Sequence, residues 1–378
     1  MTRVAPRSAD GELPAARPVV GLAVGRGTGP ELADVFERVL GALTSGLPRG
    51  GAEIVRSPRL YHSYVSLRAE PDTVRVRELT ERDAEHYERF CRELAGSGVP
   101  AVFRTAINAQ SLYLVRQRLR TVKVDLLTEG PAALLLVRDQ AQGFYTGENQ
   151  HSPGEIVRTT TFSREVTEAV VGYALERARR EWPAGGPDRI VLAYKFHLLD
   201  GVFDTWVAEL AARLGVRIEV FQPDTVNRNL LAHGFPDRTL LVAGNEWADI
   251  MHVVLLDRFG SDRQENRCTE NVFLGPGAGG LVEYQTVHGS ADDLAGRDLV
   301  NPVATVRAAA LVAERHCGAA GAARAVETAL GVLAGRGVGT PDLGGGHTTT
   351  AVVDALLDTL DAPGAVAAPH STALVGGA

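Results

Sequence analysis

The stretch Val19-Val20-Gly21-Leu22-Ala23-Val24-Gly25-Arg26-Gly27-Thr28-Gly29-Pro30-Glu31-Leu32-Ala33-Asp34-Val35-Phe36-Glu37-Arg38-Val39-Leu40-Gly41-Ala42-Leu43 decides the fold class. Residues 19–24 are a short apolar run and read as a buried strand. Glycines then turn the chain. From Glu31 onward Leu32, Val35, Phe36, Val39, Leu40 and Leu43 fall on one helical face, and Pro30 sits where a helix tolerates it best. Further apolar runs at 132–137, 189–194, 217–221 and 239–243 read as strands. Between two of them, 164–182 reads as a helix, with Ser163 as its N-cap and Arg177, Arg179 and Arg180 complementing its C-terminal dipole. This alternation predicts an α/β fold with sheets covered by helices. Residues 111–129 are basic and irregular and read as a junction; 260–280, polar and then glycine-rich, read as a long loop. There is no internal repeat, and the one biased segment is the alanine-rich 308–334.

The chain has 378 residues, 45% of them hydrophobic and 22% charged, which suits a soluble globular protein with a large core. A net charge of −7 argues against a general nucleic-acid binder, which needs a basic face. Cys91, Cys268 and Cys317 are widely spaced and form no CxxC pair, so they imply neither a disulfide framework nor a zinc knuckle and fit a reducing cytoplasm. No apolar run approaches the length of a membrane span, and residues 1–17 lack the apolar region of a signal peptide and read as a flexible tail.

Several nucleotide-binding and hydrolytic signatures fail. In Gly25-Arg26-Gly27-Thr28-Gly29-Pro30 the third glycine of a G-x-G-x-x-G fingerprint is a proline, and no Walker Gly-Lys-Ser/Thr follows. Neither Gly-x-Ser-x-Gly nor His-Glu-x-x-His occurs.

Five segments, in order along the chain, carry a resemblance instead. Gly25–Glu31 is similar to G-D-G-I-G-P-E, and Val137-Arg138-Asp139-Gln140-Ala141-Gln142-Gly143-Phe144-Tyr145-Thr146-Gly147 to V-R-E-x-x-x-G-x-Y-x-G. Tyr194-Lys195 followed by Asp200-Gly201-Val202-Phe203 resembles a shortened H-K-A-N-…-D-G-x-F. Val287-His288-Gly289-Ser290-Ala291-Asp292-Asp293-Leu294-Ala295-Gly296, with Val300-Asn301-Pro302, resembles V-H-G-S-A-P-D-I-A-G-…-A-N-P, and Thr340-Pro341-Asp342-Leu343-Gly344-Gly345 resembles T-x-D-L-G-G. On these motifs the chain is identified as a divergent member of the β-decarboxylating dehydrogenases, the isocitrate and isopropylmalate dehydrogenase family.

The resemblance implies that family's two-domain α/β fold with an active-site cleft between the domains. Residues 18–108 and 272–378 would form a cofactor-binding domain. Residues 109–271 would form a central substrate and dimerisation domain, with an arm near 150–161 that clasps the partner of a homodimer whose active sites are shared. It implies NAD-dependent oxidation, with decarboxylation, of a 2-hydroxy acid, assisted by Mg2+ or Mn2+. Lys195 would belong to the proton-abstracting apparatus, Tyr145 would protonate the enol, and Arg138 would clamp a carboxylate, its planar fork matching that group. Arg116 and Arg120 would cover the family's two substrate arginines. His288, Gly289, Ser290, Ala291, Asp293, Leu294 and Asn301 would bind the cofactor, with Asp293 repelling the 2′-phosphate of NADP so that NAD is favoured.

Asp224 and Asp249 resemble two of the family's metal-binding aspartates, Asp224 being the one that serves the neighbouring subunit. The third is expected one helical turn after Asp249, where this chain has Val253. With the altered stretch around 111–123, this departure points to a non-standard substrate. It leaves two alternatives open: a non-catalytic regulatory or binding paralogue, and a dehydrogenase that works without metal or decarboxylation.

Overall fold

A computed structural model describes residues 17–48, 50–234, 237–259 and 264–362. Residues 1–16 of the expected tail and 260–263 of the expected loop lie outside the described residues. The strands are β1 (Val19–Gly25), β2 (Glu53–Tyr61), β3 (Ala101–Arg104), β4 (Thr121–Glu129), β5 (Ala132–Asp139), β6 (Glu148–Ser152), β7 (Glu155–Thr159), β8 (Arg189–Ala193), β9 (Glu219–Phe221), β10 (Arg238–Ala243), β11 (Cys268–Phe273) and β12 (Val282–Thr286). Ten of them make one sheet in the order β2-β1-β3-β12-β11-β4-β5-β10-β8-β9, and β6 and β7 form a separate hairpin. Helices cover both faces, so the α/β expectation holds.

Each half of the sheet is buried on two sides, which is why its strands read as continuous apolar runs. In one half Val20, Leu22 and Phe103 pack under the helices Gly29–Thr44 and Val303–His316, with Phe36 stacked on Phe103 at 4.2 Å between ring centroids. A buried side chain of that size contributes about 1.5–3 kcal/mol. Ala23, Tyr61 and Val102 face the other way, toward the helix Thr73–Gly96. In the second half Leu135, Val137, Leu192 and Val242 lie against the helix Arg164–Glu181, while Leu134, Leu136 and Leu241 lie against Asn245–Phe259.

The centre of the sheet departs from the sequence expectation. Residues 111–129 are not an irregular junction: they complete the helix Ala109–Arg118 and then form β4. Their Arg116 and Lys123 are buried, which is what broke the apolar pattern. The segment 260–280 is likewise not all loop, because β11 runs through it, antiparallel to both β12 and β4. Its polar Thr269, Glu270 and Asn271 are buried in those pairings. Ser163 stands at the N-cap position of its helix, but its hydroxyl makes no capping bond; its backbone N–H donates instead to Gln142 Oε1 at 2.8 Å.

The central registers set up the site. Arg104 pairs with Gln285, Gln285 with Thr269, Glu283 with Asn271, Asn271 with Lys123, and Lys123 with Arg138. Residues paired across strands or two apart along a strand point to the same face. Arg104, Glu283, Gln285, Thr269, Asn271, Lys123, Asp125 and Arg138 therefore share one face of the sheet, beneath the helices Ala109–Arg118 and Asn245–Phe259.

Candidate active site

Between those two helices the polar face of the sheet forms the floor of a cleft of about 320 Å³. Its lining includes Tyr113 and Arg116 from one helix, Asp249, His252 and Val253 from the other, and Arg104, Lys123, Arg138 and Gln285 from the floor. The volume is at the lower end of the range for small-molecule sites.

The floor carries an unusual density of buried charge. Arg104 Nε lies 3.0 Å from Glu283 Oε1; Glu283 also accepts from Asn271 Nδ2 at 2.8 Å and from the Tyr87 hydroxyl. Lys123 Nζ stands 3.6 Å from Asp125 Oδ2, and His252 Nε2 stands 3.5 Å from the same oxygen. Burial pushes the Asp125 carboxyl up, but Lys123 and His252 outweigh it and hold it well below the usual carboxylate range. Burial likewise pushes the Lys123 ammonium down, against the opposing pull of Asp125. Arg116 donates to the Gln285 amide oxygen at 3.4 Å, while its Nε is buried with no hydrogen-bond partner among the described residues. Burial and the charge of Arg104 lower its pKa to about 10, so it stays protonated at neutral pH.

An aromatic and guanidinium stack joins Tyr113 of the wall to Tyr145 beside it. Tyr113 and Tyr145 are parallel at 5.0 Å between centroids, with Arg116 5.5 Å from the Tyr113 centroid and Arg138 5.5 Å from that of Tyr145. Arg138 also donates to Asn245 Oδ1 at 2.9 Å and pairs with Asp249. The Tyr145 hydroxyl donates to Asp249 Oδ2 at 3.1 Å. Burial, then the Asp249 charge, pushes the Tyr145 phenol up to about 12. For Asp249 itself, burial acts upward but Arg138 and Tyr145 prevail and lower its pKa.

A second cluster stands apart. Lys195, just past the end of β8, donates to Asp224 Oδ1 at 2.6 Å and Gln222 Oε1 at 3.2 Å, with Trp247 5.4 Å away. β8 is two strands from β5, which carries Arg138, or about 10 Å by sheet spacing. Lys195 and Asp224 do not line the cleft. Arg120 is also outside it: the residue has φ +48° and its side chain pairs with Glu165 at 2.6 Å. Arg138, Arg116, Tyr145 and Asp249 are thus brought together, whereas Lys195, Asp224 and Arg120 are not.

The segment after β12 borders the same cleft with Val287, His288, Gly289 and Ser290. It is held by Thr28, whose backbone N–H and hydroxyl donate to the Ser290 carbonyl at 2.9 and 3.0 Å, and by Ser63, whose hydroxyl donates to Asp292 Oδ2 at 2.8 Å. Gly27 is required there: its φ is +76° and a Cβ would stand 2.4 Å from the Ser290 carbonyl oxygen. Ala291 takes the left-handed conformation at φ +40°, followed by the short turn Asp292–Leu294 that carries the exposed Asp293. His288 Nδ1 contacts the Gly289 carbonyl at 3.0 Å, while its buried Nε2 has no partner among the described residues. Burial lowers the His288 pKa. Asn301 is already engaged, donating to Asn266 Oδ1 and Asp342 Oδ2 and accepting from Val303 N–H.

The unpartnered His288 Nε2 and the exposed Asp293 beside the cleft are consistent with a nucleotide docking along this segment. A divalent metal fits less well. Val253 offers no oxygen, Asp224 is paired with Lys195 outside the cleft, and both Asp249 oxygens are engaged by Arg138 and Tyr145. Among the described residues no three His, Cys, Asp or Glu side chains converge to hold a metal. Sequence reading had missed Arg104, Lys123, Asp125, Glu283, Gln285 and Tyr113. The signal for most of them was a charge at alternate positions inside a strand-like run.

A family model described as isocitrate/isopropylmalate dehydrogenase matches residues 271–356. The 3-isopropylmalate/3-methylmalate dehydrogenase of Methanocaldococcus jannaschii is 28% identical over 226 residues, which are 57% of this chain and 63% of the relative. The isocitrate/homoisocitrate dehydrogenase of Thermus thermophilus is 27% identical over 238 residues, 60% of this chain and 65% of the relative. The alignments thus span less than two thirds of these relatives' length. In structure, a β-decarboxylating dehydrogenase from Thermococcus kodakarensis superposes with a TM-score of 0.60 at 22% identity, covering 91% of this chain and 96% of that one. Isocitrate dehydrogenase from Methylococcus capsulatus gives 0.62 at 20% identity, covering 91% and 99%. At such identity the superpositions speak for the fold alone. The sequence matches show that the chain is similar to isocitrate and isopropylmalate dehydrogenases, the family model falling on residues 271–356, which include the 285–290 border of the cleft.

Proposed function

We propose that this protein is an NAD-linked dehydrogenase that oxidises a 2-hydroxy acid carrying a β-carboxylate, with loss of carbon dioxide. The observation that carries this reading is the juxtaposition of the buried guanidiniums Arg138 and Arg116 with residues 287–290 around one cleft, the protonated Tyr145 being held beside it through Asp249. Guanidiniums already desolvated and held by stacking are suited to grip carboxylates without further ordering. NAD, when bound along His288, Gly289, Ser290, Ala291, Asp293 and Leu294, supplies the hydride acceptor. Asp293 favours the free ribose hydroxyl over a 2′-phosphate. Asn301 supports the segment through Asn266 and Asp342.

Oxidation takes a proton from the hydroxyl and leaves a β-keto acid. Loss of carbon dioxide then leaves an electron pair delocalised onto the α-oxygen, and a proton must return to carbon. With its pKa near 12, Tyr145 holds its proton at neutral pH and is the donor for that return. Lys195 with Asp224 supplies the proton-accepting side. Because this pair lies outside the cleft of its own chain, we place it at the cleft of a second copy in a homodimer. The exposed β6–β7 hairpin, with Ile156 and Val157 open to solvent, is the arm that clasps that copy.

Thermal titration of the purified protein with NAD and NADP tests the cofactor half of this reading. A ligand of the native state raises the melting temperature by mass action. Stabilisation by NAD and not by NADP is expected. Indifference to both favours the non-catalytic paralogue.

A further inference from the structure

We propose that Lys123, acting beside Arg138, supplies the positive charge at the substrate's α-oxygen, and that the protein works without a divalent metal. The inference rests on reading the cleft as a hydroxy-acid site and assigns the charge that stabilises the enolate within it.

Three observations support it. The first is position: Lys123 is the register partner of Arg138 on the cleft floor, lines the cleft, and is 7% exposed. The second is spare donor capacity. An ammonium has three donors, and the one carboxylate within 4.0 Å of Nζ among the described residues is Asp125, at 3.6 Å and therefore beyond a well-made hydrogen bond. The same Asp125 oxygen also faces His252 Nε2, at 3.5 Å.

The third is charge balance. Arg104, Arg116, Lys123 and Arg138 face three carboxylates, Glu283, Asp125 and Asp249. A buried site with an excess of cations attracts an anion and repels a second positive ion. A divalent cation at Asp249 would have to displace Arg138 and Tyr145 and sit among these charges, with Val253 contributing nothing.

In the reaction, the bond from the β-carbon to its carboxylate breaks and carbon dioxide leaves. The released electron pair moves through the carbon framework onto the α-oxygen, which becomes an enolate oxygen facing the Lys123 ammonium. No bond to lysine forms and no further oxidant is consumed. A preorganised cation in a water-poor site stabilises such developing charge without reorganisation.

Oxalate, a planar dianion with the outline of an enolate of a 2-keto acid, is the probe. Calorimetric titration of the full-length protein in the presence of a chelator is expected to show oxalate binding. Lys123→Met should weaken it about ten- to hundredfold, as loss of a charged hydrogen-bond donor does, while NAD affinity is unchanged. A parallel titration of the wild-type protein with Mn2+, followed by paramagnetic resonance, is expected to show no tight site and needs no variant to fold. Oxalate binding that requires Mn2+, binding that is equal in wild type and Lys123→Met, or no oxalate binding at all would each overturn the proposal. Failure of NAD to bind would strike the dehydrogenase reading instead and leave the oxalate result standing.

Discussion

Replacing Glu283 by glutamine isolates the electrostatics on which the cleft depends. Glu283 is 2% exposed and pairs with Arg104, itself 4% exposed, at 3.0 Å. Neighbouring Arg116 has no carboxylate of its own within 4.0 Å among the described residues, so Glu283 is the anion that makes two adjacent buried guanidiniums tolerable. Removing one member of a buried ion pair typically costs about 3–5 kcal/mol, because the other charge stays buried and uncompensated. The Tyr87 hydroxyl and Asn271 Nδ2, both donors to Glu283, exchange an ionised acceptor for a neutral amide and weaken by about 1 kcal/mol each. Glu283→Gln is therefore expected to lower unfolding free energy by about 3–5 kcal/mol in urea denaturation at neutral pH. The same charge argument demands a second effect of opposite sign: with the acid gone, oxalate becomes the counter-ion, so it binds the variant more tightly and restores part of the lost stability. A loss below about 1 kcal/mol, or oxalate affinity that falls, would refute the view of the floor as an array held in balance by Glu283.

Three further outcomes follow from single residues. Burial raises Asp139 from an ordinary 3.8 to about 6 although Gln142, Ala141 and Tyr194 donate to it; its neutral form stabilises the fold, a contribution complete below about pH 4 and lost as pH rises through 6, worth about 3 kcal/mol. The stability of Asp139→Asn relative to wild type, measured from pH 4 to 7, should therefore rise with pH, and a flat difference would contradict this. Gly27→Ala places a Cβ against the Ser290 carbonyl at a left-handed backbone position, so it should weaken NAD binding by about tenfold or more while leaving oxalate affinity near the wild-type value; equal NAD affinity would count against the 287–294 segment as the cofactor seat. Tyr145→Phe keeps the stack on Tyr113 but loses the hydroxyl beside Asp249, so kcat should fall about a hundredfold or more with stability changed by about 1 kcal/mol, and an unaltered kcat would remove Tyr145 as proton donor.

The parts of the fold visible in the sequence were those where pattern and environment agree. The run 19–24 and the helical face from Leu32 to Leu43 are apolar because both sides of that half-sheet are covered. The centre of the sheet was misread for the opposite reason. Lys123 and Asp125 in β4, Thr269 and Asn271 in β11, and Glu283 and Gln285 in β12 alternate as strand residues should, yet their polar side is the buried one. Alternation of that kind ordinarily marks a solvated face, so neither β11 nor the floor of the cleft was apparent. Motifs identified Arg138, Tyr145 and Asp249 individually, and these do meet in space. Arg120, expected to cover one of the substrate arginines in the altered stretch around 111–123, has φ +48° and turns toward Glu165, a matter of local backbone geometry that spacing does not encode. The separation of Lys195 and Asp224 from Arg138 follows from strand order, which depends on pairings between distant segments.

Turnover is the most direct test of the proposed activity. The full-length protein would be incubated with NAD and a panel of 2-hydroxy acids bearing a β-carboxylate, in chelator, with NADH absorbance and released carbon dioxide followed together. Equal yields of NADH and carbon dioxide from at least one acid, abolished by Lys195→Met, are the predicted result. No NADH from any acid, with or without added magnesium or manganese, in a protein that still binds NAD would contradict the assignment of this cleft to hydroxy-acid oxidation.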